Sequence, residues 1–135
     1  MKPINQPVFV YVEDDPLSRE IIQVILEKQM GETVYAMDST ADFVGTIAGF
    51  DHTPNVFLFD IHMRPRSGFD LLNELRASDG YADATIVALT ASVMNEEVQT
   101  LRTAGFDSII AKPIDQERFP RDIAQILRGE PVWQI

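Results

Sequence analysis

No cysteine occurs anywhere in the sequence. That excludes a disulfide framework, a thiol nucleophile and thiolate metal ligation. No apolar run reaches the length of a membrane span, and the opening Met1-Lys2-Pro3-Ile4-Asn5-Gln6 has no apolar segment of the secretory type. The expectation is a cytoplasmic protein without membrane insertion. Positive charge is scarce: Lys and Arg number 11 against 21 Asp and Glu, a formal net charge of -10. Direct nucleic-acid binding rests on a basic surface that neutralises phosphates, so that class is set aside. An acidic total by itself only keeps soluble proteins apart; the placement of the acids carries the information. Repeats, low-complexity tracts and linkers are also missing. With 135 residues, 45% of them hydrophobic, the chain reads as one domain over 1–135, with a core at about 7–128 and a tail at 129–135. The Met1 start and the lack of a linker at the end fit a stand-alone protein.

What is present centres on Val56-Phe57-Leu58-Phe59-Asp60-Ile61-His62-Met63, four apolar residues running into one carboxylate. A short apolar run without alternation reads as a strand buried on both faces. A charge inside it is costly, so Asp60 belongs at its carboxyl end. Val8–Val12 is a second such strand and also ends in acid, Glu13-Asp14-Asp15. Pro16 suits the first turn of a helix with Asp15 as N-cap. Leu17, Ile21, Val24 and Ile25 then recur at helical spacing, and Gly31 closes the helix.

Thr33–Met37 is a weaker strand, and Asp38-Ser39 is expected to cap a helix carrying Phe43, Val44 and Ile47. Ser67-Gly68-Phe69-Asp70 matches a capping box with Asp in the last place. Thr85–Thr90 is a strand ending in a hydroxyl, followed by a helix over Asn95–Ala104 with a thin stripe of Val98, Leu101 and Ala104. Ser108–Ala111 is the fifth strand and ends in Lys112-Pro113. A turn at Asp115 and a helix over about 120–128 follow, with Phe119, Ile123, Ile126 and Leu127 buried. The apolar tail 132–135 is expected to fold back. Strands and helices alternate five times, which predicts an α/β fold with one parallel sheet and helices on both faces.

In such a sheet the strand ends share one edge. Glu13-Asp14, Asp60, Thr90 and Lys112 therefore converge. Three formal negative charges face one positive charge, and carboxylates this close resist ionising together. A divalent cation balances them, and hard oxygen ligands favour Mg²⁺. Phosphoryl transfer asks for little beyond positioning and charge stabilisation. Asp60 as nucleophile gives an acyl phosphate, with the Lys112 ammonium and Thr90 hydroxyl on the remaining oxygens.

The chain resembles a response-regulator receiver domain of two-component signalling. The matching pieces are Val10-Tyr11-Val12-Glu13-Asp14-Asp15-Pro16, Phe57-Leu58-Phe59-Asp60-Ile61-His62-Met63, Gly68, Ile86-Val87-Ala88-Leu89-Thr90-Ala91 and Ala111-Lys112-Pro113. Thr90 stands 30 and Lys112 52 residues after Asp60, as in that family. The resemblance implies a flavodoxin-like, doubly wound five-stranded sheet of order 2-1-3-4-5 with five helices. It implies Asp60 as phosphoacceptor, Thr90 and Lys112 as its helpers, and Mg²⁺ at Glu13, Asp14, Asp60 and the His62 backbone carbonyl. A cis Lys112-Pro113 peptide is implied too. Three departures stand out. Glu13 replaces the more usual Asp. Arg64 separates Met63 from Pro65, and with Arg66 it puts two cations near the site, read here as solvated. Ile109 occupies a position that is often aromatic.

The function so implied is a phosphorylation-controlled interaction switch or relay. Its phosphoryl donor is a histidine kinase or histidine phosphotransfer protein, its output an unknown downstream protein, and no separate substrate is turned over. The alternative is a receiver-fold binding module that is not phosphorylated, which Ile109 and Pro65 favour. A third reading, an aspartyl-phosphate hydrolase, meets His62 where such enzymes resemble one another in carrying a second Asp.

Overall fold

Successive side chains of a strand point to opposite faces, and on β1 (Val8–Val12) both faces are apolar. Phe9 and Tyr11 enter one core, Val10 and Val12 the other. The strand is therefore central and needs helices on both sides. The computed structural model describes residues 1–39 and 42–133. β1 lies between β2 (Thr33–Met37) and β3 (Val56–Asp60); β4 (Thr85–Thr90) and β5 (Ser108–Ala111) follow, all parallel, in the order β2-β1-β3-β4-β5. This is the expected flavodoxin-like fold.

Helices α1 (Pro16–Val24) and α5 (Arg118–Leu127) cover one face with Ile22, Phe119, Ile123 and Ile126. Helices α2 (Phe43–Ala48), α3 (Gly68–Arg76) and α4 (Asn95–Ala104) cover the other with Phe43, Leu71, Leu72 and Leu101. On this side Phe43 meets Phe57 and Phe59 edge to face at centroid distances of 6.1 and 5.5 Å.

Local signals set most element ends. Asp15 caps α1 through Ser18 and Pro16 opens it. Gly105 ends α4 at φ +115°, a left-handed turn that glycine adopts freely. The Ser67 hydroxyl accepts from the Asp70 N–H at 3.3 Å and the Asp70 carboxylate accepts from the Ser67 N–H at 2.9 Å, so the capping box forms. Ser67→Ala should cost about 1 kcal/mol of stability in urea unfolding.

Four expectations are corrected. The α1 stripe of Leu17, Ile21, Val24 and Ile25 holds at Ile25 alone: Leu17 and Val24 are 65% and 45% exposed, and Ile22 and Leu26 join Ile25 in the core. The helix also widens into a π-helical turn at Ile25–Gln29. Asp42, not Asp38-Ser39, stands at the N-cap of α2, and Ser39 is turned to Asp14 instead. On α4, Leu101 is buried and Ala104 exposed, so the stripe is narrower than the spacing suggests. Helix α5 starts at Arg118, with Pro120 still inside the first turn.

The chain after α5 folds back as expected. The Ile109 N–H donates to the Val132 carbonyl at 2.9 Å, and the Val132 N–H donates to Ser108 Oγ at 3.0 Å. The outer edge of β5 is thereby covered. Val132 is buried in the α1/α5 core, while Trp133 packs on the α4 side beneath Arg102, 5.1 Å from its ring centroid. Gln134 and Ile135 lie outside the described residues.

Candidate functional site

The strand order reverses between β1 and β3, and in open parallel sheets the crevice at the carboxyl ends beside such a reversal receives ligands. Asp60 ends β3 and Glu13 follows β1 at this point. Lys112 arrives from the end of β5 and bridges them: its ammonium lies 2.8 Å from Glu13 Oε1 and 3.1 Å from Asp60 Oδ2. The other Asp60 oxygen, Oδ1, accepts from the His62 N–H at 3.1 Å. The Lys112-Pro113 peptide is cis, as expected, and so is Arg64-Pro65.

Burial shapes the electrostatics. Glu13 is 1% and Asp60 6% exposed. Burial first, and the neighbouring Asp60 carboxylate next, hold the Glu13 carboxyl above its ordinary value, with Lys112 opposing them. Burial pulls the Lys112 ammonium down, but its bonds to Glu13 and Asp60 outweigh that and leave it above the usual lysine value. Two buried acids thus share one cation.

The other anticipated residues are placed as follows. Asp14 turns to the loops: Oδ1 accepts from the Ser39 N–H at 2.7 Å, and Oδ2 accepts from the Ser39 hydroxyl at 2.8 Å and the Arg64 N–H at 3.3 Å. Thr90 stands at the same edge, but its hydroxyl accepts from the Ser92 N–H and donates to the Ser92 carbonyl at 3.1 and 3.2 Å. Among the described residues, no three Asp, Glu, His or Cys side chains converge ready-made on one point.

The donor set nevertheless suits a hard divalent cation. Glu13, Asp14 and Asp60 offer carboxylate oxygens only, and the buried Glu13–Asp60 pair is short of positive charge. Among the described residues the donor to Glu13 Oε2 is a single long contact, the Asp15 N–H at 3.4 Å, so that oxygen keeps lone pairs to offer.

Sequence reasoning missed three members of the surroundings. Tyr11 reads as one more apolar strand residue, yet its hydroxyl donates to Glu13 Oε1 at 3.1 Å. Its place two residues before Glu13, on the same side of the strand, is the signal that was available. Ser39 reads as a helix cap; nothing local shows that it holds Asp14, 25 positions away. Arg66 reads as a solvated cation, but it grips both Glu74 oxygens at 2.8 and 2.9 Å. Arg64 is exposed and contributes its backbone instead: its N–H donates to Asp14, and its carbonyl, 2.6 Å from Ser39 Oγ, shares the single Ser39 hydroxyl proton with Asp14 Oδ2.

Known proteins share this arrangement of strands. The chain is 31% identical over 90% of its length to a nitrate/nitrite response regulator protein homolog of Haemophilus influenzae, of which it covers 57%. Several curated relatives are longer proteins, and the chain spans about half of their length. Its fold superposes on the chemotaxis response regulator CheY4 of Vibrio cholerae with a TM-score of 0.80, at 19% identity, covering 91% of this chain and 100% of that one. The receiver domain of the sensor histidine kinase PA1611 of Pseudomonas aeruginosa, solved with a magnesium ion coordinated in its active-site cleft, superposes with a TM-score of 0.72 at 24% identity, covering 93% of this chain and 100% of that one. The family model for the response regulator receiver domain matches residues 9–124, nearly the whole of the doubly wound sheet and its helices, and the chain belongs to that family.

Proposed function

We propose that Asp60 accepts a phosphoryl group from a phosphohistidine on a partner kinase or phosphotransfer protein, and that the resulting charge switches contacts with a downstream protein. The observation that carries this reading is the Lys112 ammonium at hydrogen-bond distance from both Glu13 and Asp60. An Asp60 oxygen attacks phosphorus, the O–P bond forms, the P–N bond breaks, and the imidazole leaves with its electron pair. Lys112 then follows the charge from the carboxylate to the phosphoryl oxygens, and the Thr90 hydroxyl turns from Ser92 to donate to them. The His62 N–H holds Asp60 Oδ1 in place meanwhile. Glu13, Asp14, Asp60 and the His62 carbonyl would hold Mg²⁺. When bound, it neutralises charge shared between the carboxylates and the phosphoryl oxygens.

Pro65 and Ile109 favour a module that is never phosphorylated, but Glu13, Asp60 and Lys112 still meet in their presence. That meeting supports the phosphoacceptor. An acyl phosphate is cleaved by neutral hydroxylamine. Label taken from a phosphohistidine donor should therefore be released by hydroxylamine, and label that survives the treatment contradicts Asp60 as acceptor.

Saturating Mg²⁺ should also stabilise the fold. At 100-fold over its dissociation constant the gain is about 2.7 kcal/mol, and Asp60→Asn or Glu13→Gln should remove most of it in thermal melts.

The partner's approach is supported by the exposed α1 face. Leu17, Ile21 and Val24 are open to solvent, and a cleft of about 360 Å³ beside them is lined by Ser18, Ile21, Lys112, Pro113 and Ile114. An apolar helix face carrying the phosphohistidine fits there. Ile21→Glu should slow transfer from a protein donor several-fold while leaving uptake from acetyl phosphate unchanged; equal slowing of both contradicts this docking mode.

A further inference from the structure

Glu13 is one methylene longer than the aspartate more usual at its position, and a buried side chain with an extra rotatable bond needs something to fix it. Tyr11 does so. Its ring is fully buried among Phe9, Leu58 and Phe119, and its hydroxyl donates to Glu13 Oε1 at 3.1 Å. Lys112 grasps the same oxygen at 2.8 Å. The two donors tie down Oε1, and Oε2 is left to the long contact with the Asp15 N–H at 3.4 Å.

The two donors are not equivalent. Lys112 also serves Asp60, and a phosphoryl group on Asp60 draws the ammonium toward itself. Tyr11 is not divided in this way: among the described residues its hydroxyl donates to Glu13. It is the donor that stays. We propose that Tyr11 is a positioning residue, which aims the Glu13 carboxylate at the cation site and holds it there after Lys112 has moved. This rests on the reading of Glu13 as a Mg²⁺ ligand. Outer partners of this kind change metal affinity by about 10- to 100-fold when removed.

The test is calorimetric Mg²⁺ titration of the full chain in a four-variant cycle, with metal-free melts alongside. Tyr11→Phe keeps the ring and removes the hydroxyl. Glu13→Asp draws the carboxylate back by one carbon–carbon bond, roughly 1.5 Å, beyond hydrogen-bond reach of the phenol. Tyr11→Phe should weaken Mg²⁺ binding about tenfold in the native background and less than about twofold in the Glu13→Asp background. A merely structural hydroxyl lowers the metal-free melting temperature in both backgrounds and leaves the affinities alone. That result, or an equal affinity loss in both backgrounds, overturns the inference while the reading of the site stands. Absence of Mg²⁺ binding by the unaltered protein overturns both.

Discussion

Lys112→Met should destabilise the metal-free protein by about 3 kcal/mol at pH 7. The ammonium is the cation shared by two buried acids, with side chains of Glu13 and Asp60 only 2% and 8% exposed. Methionine keeps much of the volume and none of the charge. Removing one partner of a buried ionic group costs far more than the group adds, because the remaining charges stay desolvated and now repel. The loss should shrink as pH falls. Glu13 already sits above its ordinary value of 4.5, through burial and then Asp60, with Lys112 opposing. In the variant that opposition is gone. A carboxyl whose folded value is raised takes up its proton in the folded state first, so stability is regained as pH drops through that raised value toward 4.5. Asp15 and Asp115 pull the other way only at lower pH: hydrogen bonds from Ser18, and from Arg118 and Glu117, hold them below 3.8, and they withdraw stability as pH falls below that. Urea unfolding at pH 7 and pH 5 reads the difference. A variant as stable as the parent at pH 7 contradicts the shared-cation account.

Gly68→Ala should cost about 2 kcal/mol, although alanine is the better helix former by about 1 kcal/mol. Gly68 is the first residue of α3 and has no special backbone angle. Its role is close approach. A Cβ there would lie 2.8 Å from the Asp60 carbonyl oxygen and 3.0 and 3.1 Å from Ile61 Cδ1 and Cα. Two of these three are backbone atoms of the segment that carries the Asp60 carboxylate, so no rotamer change relieves the overlap. Either α3 moves out or the end of β3 moves. The Gly68 N–H also donates to the Ile61 carbonyl at 3.2 Å, which ties the same two segments together. Weaker Mg²⁺ binding should accompany the lower stability. A stabilised variant, as helix propensity alone predicts, would show that α3 does not abut the strand this closely.

The strands and the shared edge were legible because their signal is local. Val8–Val12, Val56–Asp60 and Thr85–Thr90 are apolar runs that end where a polar group begins, and a parallel sheet brings such ends together whatever their separation in the chain. The capping box and Gly105 are equally local. The errors have a different origin. Leu17, Ile21, Val24 and Ile25 obey helical spacing, but spacing does not say which flank of an apolar stripe faces the sheet; Ile25 is buried with Ile22 and Leu26, and Leu17, Ile21 and Val24 are left outside. Ser39 follows the rule for a cap and then meets a carboxylate from another loop. Arg66 stands just outside α3 and pairs with Glu74 two turns into it, and a residue ahead of the N-cap is not counted in the helical pattern. For Tyr11 the phenol hides inside an apolar pattern that its ring fully satisfies. What was missed are thus the bonds that hold the acids, made between segments. The acids themselves stand at strand ends and could be read directly.

The proposed switch rests on phosphoryl uptake by Asp60 in the presence of Mg²⁺. Its most direct test is intact-protein mass after incubation with acetyl phosphate, with and without Mg²⁺, beside Asp60→Asn. The unaltered protein should gain one phosphoryl group with Mg²⁺, and neither the variant nor the metal-free sample should gain any. No gain with Mg²⁺ present, or a gain that persists in Asp60→Asn, would contradict it.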